Sequence, residues 1–146
     1  MSWVRIWVHL VFSTKNGEQY LNTHDIRTKF FDHIKQNAIE KKIWIDTING
    51  YQDHIHCLLS LGKDQNMSKV TQLIKGESSF WINQSGLINS KFIWQDDYWA
   101  VSISESHFAV VRNYINTQEE HHQKKTFTEE VDVFMKKYGW KLINGK

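Results

Sequence analysis

Residues 3–13 (WVRIWVHLVFS) alternate in part between apolar and polar and are rich in β-branched and aromatic side chains, which predicts a strand. Thr23 then opens THDIRTKFFDHIKQNAIEKK as an N-cap. Ile26, Phe30, Ile34 and Ala38 recur at four-residue spacing there, the signature of one buried helical face. Residues 43–51 (IWIDTINGY) read as a second strand and 54–61 (HIHCLLSL) as a third, joined through the Gly50 region. A second helix comes next, capped by Asn66 or Ser68, carrying Val70, Leu73, Ile74 and Phe80 on its apolar face and stopped by Gly86. Residues 92–104 (FIWQDDYWAVSIS) return to a strand pattern, and Ser104 or Ser106 caps a third helix through EEHH. A last helix begins near Thr126 or Thr128 and stops at Gly139. The order β-α-β-β-α-β-α-α predicts one antiparallel sheet with helices packed on it, an α+β fold, as a single domain over residues 1–146.

The third strand raises a chemical question. Alternation puts residues i and i+2 on one face, so His54 and His56 project side by side while Ile55, Cys57, Leu59 and Leu61 face the other way. Two parallel imidazoles on a rigid strand are the beginning of a metal site. Taken alone, such a pair is more often structural, because moderately buried histidines are common in cores.

The third helix supplies possible partners. Phe108, Val111 and Ile115 form its core stripe; beside it run His107, Val110, Tyr114, Gln118 and His121. If that second stripe faces the HIHCLLSL strand, His54, His56, Gln118 and Tyr114 form one cluster. Two imidazoles and an amide oxygen suit a divalent cation of the Mg, Mn or Zn group with positions open to substrate oxygens. His121 competes with Gln118 for the third ligand position; His122 falls toward the core stripe.

Composition narrows the class. With 40% hydrophobic and 14% aromatic residues the chain of 146 can bury a substantial core, which excludes disorder. No apolar run approaches the roughly 20 residues of a membrane helix, and Arg5 and His9 interrupt MSWVRIWVHLVF, which reads as a strand and not a signal peptide. The single cysteine excludes an internal disulfide and fits a cytoplasmic setting. A net charge of +2 permits a nucleic-acid partner without arguing for one.

At this point several segments converge. DHIHCLLSL, SKVTQLIKGESS, WQDDYWAVSISES, VVRNYINTQEEHH, the later F-x-E-E at Phe127 to Glu130 and the opening WVHLVFSTKN occur in one order along nearly the whole chain. Together they resemble the HUH-type single-tyrosine transposases of bacterial insertion sequences, including the relatives associated with repetitive extragenic palindromes; Ile55 is then the hydrophobic residue of the HUH motif. Asp97 and Trp99 depart from the pattern, standing where the family carries small residues.

The resemblance implies a ferredoxin-like HUH-endonuclease topology and a DNA transposase that nicks and joins single-stranded DNA at hairpin ends. Tyr114 would be the nucleophile and form a 5′-phosphotyrosine. His54, His56 and Gln118 would hold Mg²⁺ or Mn²⁺, with no nucleotide cofactor and no membrane. A homodimer is implied, with the tyrosine helix reaching the His pair in cis or in trans. Arg5, Lys15, Lys69, Lys75, Lys91 and Arg112 are the candidate DNA contacts. Two other readings remain open from the residues: a hairpin-binding module without catalysis, and a structural zinc held by the histidines.

Overall fold

The computed structural model describes residues 1–122 and 125–137, the side chains of residues 134 and 135 apart. Strands β1 (Ile6–Ser13), β2 (Trp44–Gly50), β3 (His54–Leu61) and β4 (Trp99–Ile103) form one open sheet in the order β2-β3-β1-β4, every pair antiparallel. Helices α1 (His24–Glu40) and α2 (Met67–Ser85) join these strands as β-α-β-β-α-β, the ferredoxin-like arrangement.

Helices α1 and α2 cover one face. Phe30, Ile34, Ala38 and Ile74 meet Leu10, Phe12, Ile55, Cys57 and Leu59 there, so the cysteine lies opposite the His pair as alternation requires. The other face of β1 and β3 is covered by α3 (Phe108–Asn116), whose Ile115 packs on Trp7 and Leu58, with Phe108 and Val111 at the edge. Residues 54–59 are therefore buried on both faces. The remaining helices among the described residues are α4 (Gln118–His122) and α5 (Phe127–Lys137).

Local signals act as their chemistry dictates. Thr23 Oγ1 accepts from the Ile26 amide at 3.2 Å and Asn66 Oδ1 from the Lys69 amide at 2.9 Å, so Asn66 and not Ser68 caps α2. Gly86 closes α2 with φ of +76°. Thr126 and Glu129 form a reciprocal capping box that starts α5. The predicted stop at Gly139 lies outside the described residues. Gly50 permits the tight β2–β3 hairpin: a Cβ there would sit 2.1 Å from the His54 carbonyl oxygen.

Three expectations are corrected. Phe80 is 66% exposed; the inward row of α2 is instead Val70, Ile74, Ser78 and Ile82, a four-residue progression that leaves position 80 outside. The predicted strand over 92–104 shrinks to Trp99–Ile103, because residues 92–98 leave the sheet apart from one bridge between Trp94 and Thr14. Phe92 and Trp94 are buried there as core anchors, Trp94 donating its indole N–H to Ser78. The third helix is not continuous. It opens as a 3₁₀ turn at 105–107, Ser104 spending its hydroxyl on the His107 ring instead of a cap, and it breaks at Thr117. Thr117 Oγ1 donates back to the carbonyls of Asn113 and Tyr114, a competition with helix bonds that bends helices.

A candidate metal and tyrosine centre

Strand β3 holds His54 and His56 with no exposure, and each ring is oriented by its second nitrogen. His54 Nδ1–H donates to Asp53 Oδ1 at 2.8 Å, which turns Nε2 inward. Nδ1 of His56 lies 2.8 Å from Nε2 of His9, a buried neighbour on β1, which turns its own Nε2 to the same place. The break at Thr117 restarts the chain as α4 so that Gln118, fully buried, brings Oε1 to 3.2 Å from His54 Nε2. Tyr114 lies one turn earlier, its ring edge-on to His56 at 5.7 Å.

Helix α5 completes the cluster with a residue that pattern reading left unassigned. Glu130, 1% exposed, takes His56 Nε2–H on Oε1 at 3.0 Å and His122 Nε2–H at 3.2 Å. Its other oxygen takes the Tyr114 hydroxyl, and the Gln118 amide at 3.4 Å. The donor atoms of His54, His56, His122 and Glu130 all fall within 4.8 Å of one another. His122, expected on the core side, thus joins the cluster, whereas His121 approaches Glu130 at 3.4 Å from a more exposed position. His122 lies one turn beyond Gln118 and follows it into the cluster. Only the quoted F-x-E-E segment hinted at Glu130, since nothing in residue spacing tells which carboxylate of a surface-looking helix turns inward.

A framework on the far side holds α4 in place. The buried Arg27 of α1 donates to Leu21 O at 2.7 Å and Glu119 at 3.1 Å, with its guanidinium over Tyr51 at 4.9 Å. Tyr51 in turn stacks on His122 at 5.8 Å. Trp99, where small residues were expected, contacts Phe127 edge-on at 5.9 Å, and Phe127 stacks on His54 at 4.3 Å.

The residues present fit a divalent cation. His54 sets Nδ1 against Asp53 and Nε2 3.2 Å from Gln118 Oε1, while the Gln118 amide N–H groups are engaged by Glu130 and Tyr114 O. Imidazole nitrogens, an amide oxygen and a buried carboxylate converging on one point are the donor set such a cation takes. Burial drives the His56 imidazole down to about 4 and His9 to about 3, so both are neutral at physiological pH, the form that ligates. Burial alone would raise the Glu130 carboxyl. The hydrogen bonds from His122 and His56 win, and it stays ionised, well below the usual carboxylate range.

These shifts give the metal-free protein a defined acid sensitivity. Unfolded imidazoles bind protons near pH 6.5, whereas folded His56 and His9 resist until about 4 and about 3. The stability their neutrality represents is therefore present above pH 6.5 and lost as pH falls toward 4. In urea titrations with chelator, the midpoint should decline steadily across that window and be flat between pH 7 and 8.5; a midpoint unchanged from pH 7 to pH 4.5 would contradict it.

The candidate DNA contacts are dispersed. Arg5 pairs with Glu105 at 3.2 Å and Arg112 bidentately with Asp46 of β2 at 2.6 and 2.9 Å, and both arginines line one groove of about 570 Å³. Lys75 is tied to the Gln95 and Asp96 carbonyls. Lys15, Lys69 and Lys91 are exposed. None of these six belongs to the histidine cluster. Among the described residues no helix is long and apolar enough to cross a membrane.

Comparison with known proteins gives the chain a family and a fold. The family model described as "Transposase IS200 like" matches residues 2–118, and the chain belongs to that family. A crystal structure of a candidate transposase from Deinococcus radiodurans R1 superposes with a TM-score of 0.62 at 20% identity, covering 80% of this chain and 93% of that one. A REP-associated tyrosine transposase bound to a REP hairpin superposes with a TM-score of 0.59 at 19% identity, over 84% of this chain and 72% of that one. Both share the α+β fold. No curated protein sequence matches the chain.

Proposed function

From its place in the IS200-like transposase family, we propose that this chain nicks and rejoins single-stranded DNA at hairpin ends through a covalent bond to Tyr114. The observation that carries the reading is the meeting of the Tyr114 hydroxyl, the Gln118 amide and the His pair on one buried carboxylate. The REP hairpin held by one structural neighbour supports the hairpin as substrate class. A divalent cation, Mg²⁺ or Mn²⁺, on His54, His56 and Gln118 would supply Lewis-acid polarisation of a non-bridging phosphate oxygen.

The chain's own groups do the rest. Tyr114 Oη attacks phosphorus, the bond to the 3′ oxygen breaks and that oxygen takes a proton from water, so that a 5′-phosphotyrosine and a 3′-hydroxyl result. A phenol is protonated at neutral pH, and its proton passes to Glu130, which already accepts the Tyr114 hydrogen bond. The 3′-hydroxyl of the same or another strand then reverses the attack, so no nucleotide cofactor is required. Asp53 and His9 keep the two imidazoles turned inward, and Arg27 fixes α4 through Glu119.

The test is a covalent-adduct assay. Labelled hairpin oligonucleotides from the flanks of the gene, mixed with protein and Mn²⁺, should give a protein–DNA band on a denaturing gel that chelator abolishes. Bound but uncleaved DNA would refute the catalytic reading in favour of a recognition module.

Each chain completes its own centre in this proposal, because Tyr114, Glu130 and both histidines meet within one chain. Mixing Tyr114→Phe with a His54→Ala, His56→Ala double variant should then restore no adduct, even between subunits of a homodimer. Recovery near a quarter of wild type would establish exchange of the tyrosine helix.

One observation favours a second reading. His54, His56, His122 and Glu130 are enough to close a four-coordinate shell, as a structural zinc would need. Under it, chelation would lower stability while no metal would support adduct formation.

A further inference from the structure

A pocket of about 160 Å³ opens directly beside Tyr114, and much of its lining is side chains the proposed chemistry leaves unused. Its walls are apolar: Val110 and Val111 on α3 and Val133 on α5. Val110 is 64% exposed and Val133 46%, so both turn branched apolar surface to solvent at the mouth of a polar site. The rings of His9 and His121 stand edge-on to Tyr114 at 6.2 and 5.2 Å and form its inner end. Lys125 and Lys137 flank the opening. Glu130, the one carboxylate in the lining, is occupied by the histidine and tyrosine bonds already described.

This combination selects its occupant. The pocket is smaller than the about 300–1,000 Å³ of drug-sized sites, of a scale for one flat ring system. Apolar walls and imidazole edges suit a heteroaromatic π-face, and lysines on the rim complement phosphates on either side of it. A protein segment would find few backbone-bonding groups here.

Building on the catalytic reading above, we propose that this pocket receives the base of a nucleotide flanking the scissile phosphate, unstacked from the strand and held between Val110 and Val133 beside Tyr114. The bound base would hold its own phosphate against the tyrosine, which makes the pocket an orienting subsite as well as a binding one.

The test uses the full chain carrying Tyr114→Phe, so that binding is read without cleavage. The probes are fluorescein-labelled hairpin oligonucleotides from the gene's flanks, with one abasic site walked through the single-stranded part. Anisotropy should show one position next to the scissile bond where base removal weakens binding about tenfold, the scale of one stacked base. Val110→Trp, an exposed substitution that fills the pocket, should weaken the intact probe by a similar factor. On the Val110→Trp protein, removing the base at that position should then cost no more. Equal binding by intact and abasic probes, or losses that multiply, would overturn the subsite. So would a change of oligomeric state on Val110→Trp in sedimentation, which would make the face a contact between copies.

Adduct formation by the wild-type chain is scored separately. An adduct without the abasic coupling removes the subsite and leaves the catalytic reading. Coupling without an adduct removes the catalytic reading and leaves a base-binding pocket.

Discussion

Tyr114→Phe should bind hairpin DNA within about twofold of wild type and form no covalent adduct at any metal concentration. Deleting a covalent nucleophile costs on the order of 10⁶-fold in a well-studied hydrolase, so residual reaction would fall below detection. The substitution is conservative in shape. The phenyl ring keeps its packing with His56, His9 and His121, and the hydroxyl bond to Glu130 is lost. That loss should cost about 1–2 kcal/mol of stability, because Glu130 retains its other donors. Folding and metal binding thus survive, and the change isolates the chemistry. An adduct that persisted would place the nucleophile elsewhere. Tyr51, stacked on His122 at the rear of the cluster, would be the next to replace by phenylalanine.

Local sequence and tertiary path carry different parts of this site. Strand β3 was legible because alternation on a rigid strand fixes both faces at once: His54 and His56 on one, Ile55 and Cys57 on the other. The helix cap at Thr23 was legible because the capping side chain is local, and the same signal narrowed the second cap to Asn66 or Ser68. Tyr114 and Gln118 were brought together as a pair because four-residue spacing survives the break at Thr117, Gln118 still donating to the Tyr114 carbonyl at 3.4 Å. Direction beyond the break was not legible. Thr117 bonds back to two carbonyls at the break, and beyond it His122, one turn past Gln118, and not His121 faces His54. Glu130 was hidden for another reason. In TFTEEVDVF it looks like the acidic first turn of an exposed helix, the place where the helix dipole favours carboxylates on ordinary surfaces. Glu129 fills that role through the capping box, and only the tertiary path of the chain turns its neighbour into the core.

Glu130 carries the second large expectation, since it is the only carboxylate in the four-donor group. Glu130→Ala should destabilise the metal-free protein by about 3–5 kcal/mol, the cost of leaving buried hydrogen-bonding partners without their counter-charge. For a chain of this size that is a fall in Tm of roughly 10 °C, measurable by calorimetry in chelator. Glu130→Gln separates charge from shape. Glutamine still offers one acceptor to His56 and His122, but it withdraws the anion and puts an amide donor toward the Tyr114 hydroxyl. The neutral set of His54, His56 and Gln118 then faces the cation without a compensating charge. Mn²⁺ affinity by isothermal titration should therefore fall about 10–100-fold, the range for groups that act on a metal directly or through its ligands. Adduct formation should fall further than metal occupancy explains, because the proton acceptor for Tyr114 is gone as well. Restoring occupancy with excess Mn²⁺ would leave that second deficit in place. If excess metal instead restored full activity, Glu130 would serve the cation alone and Tyr114 would shed its proton to another group. Unchanged Mn²⁺ affinity in Glu130→Gln would detach the carboxylate from the metal altogether and leave it the structural keystone of α5.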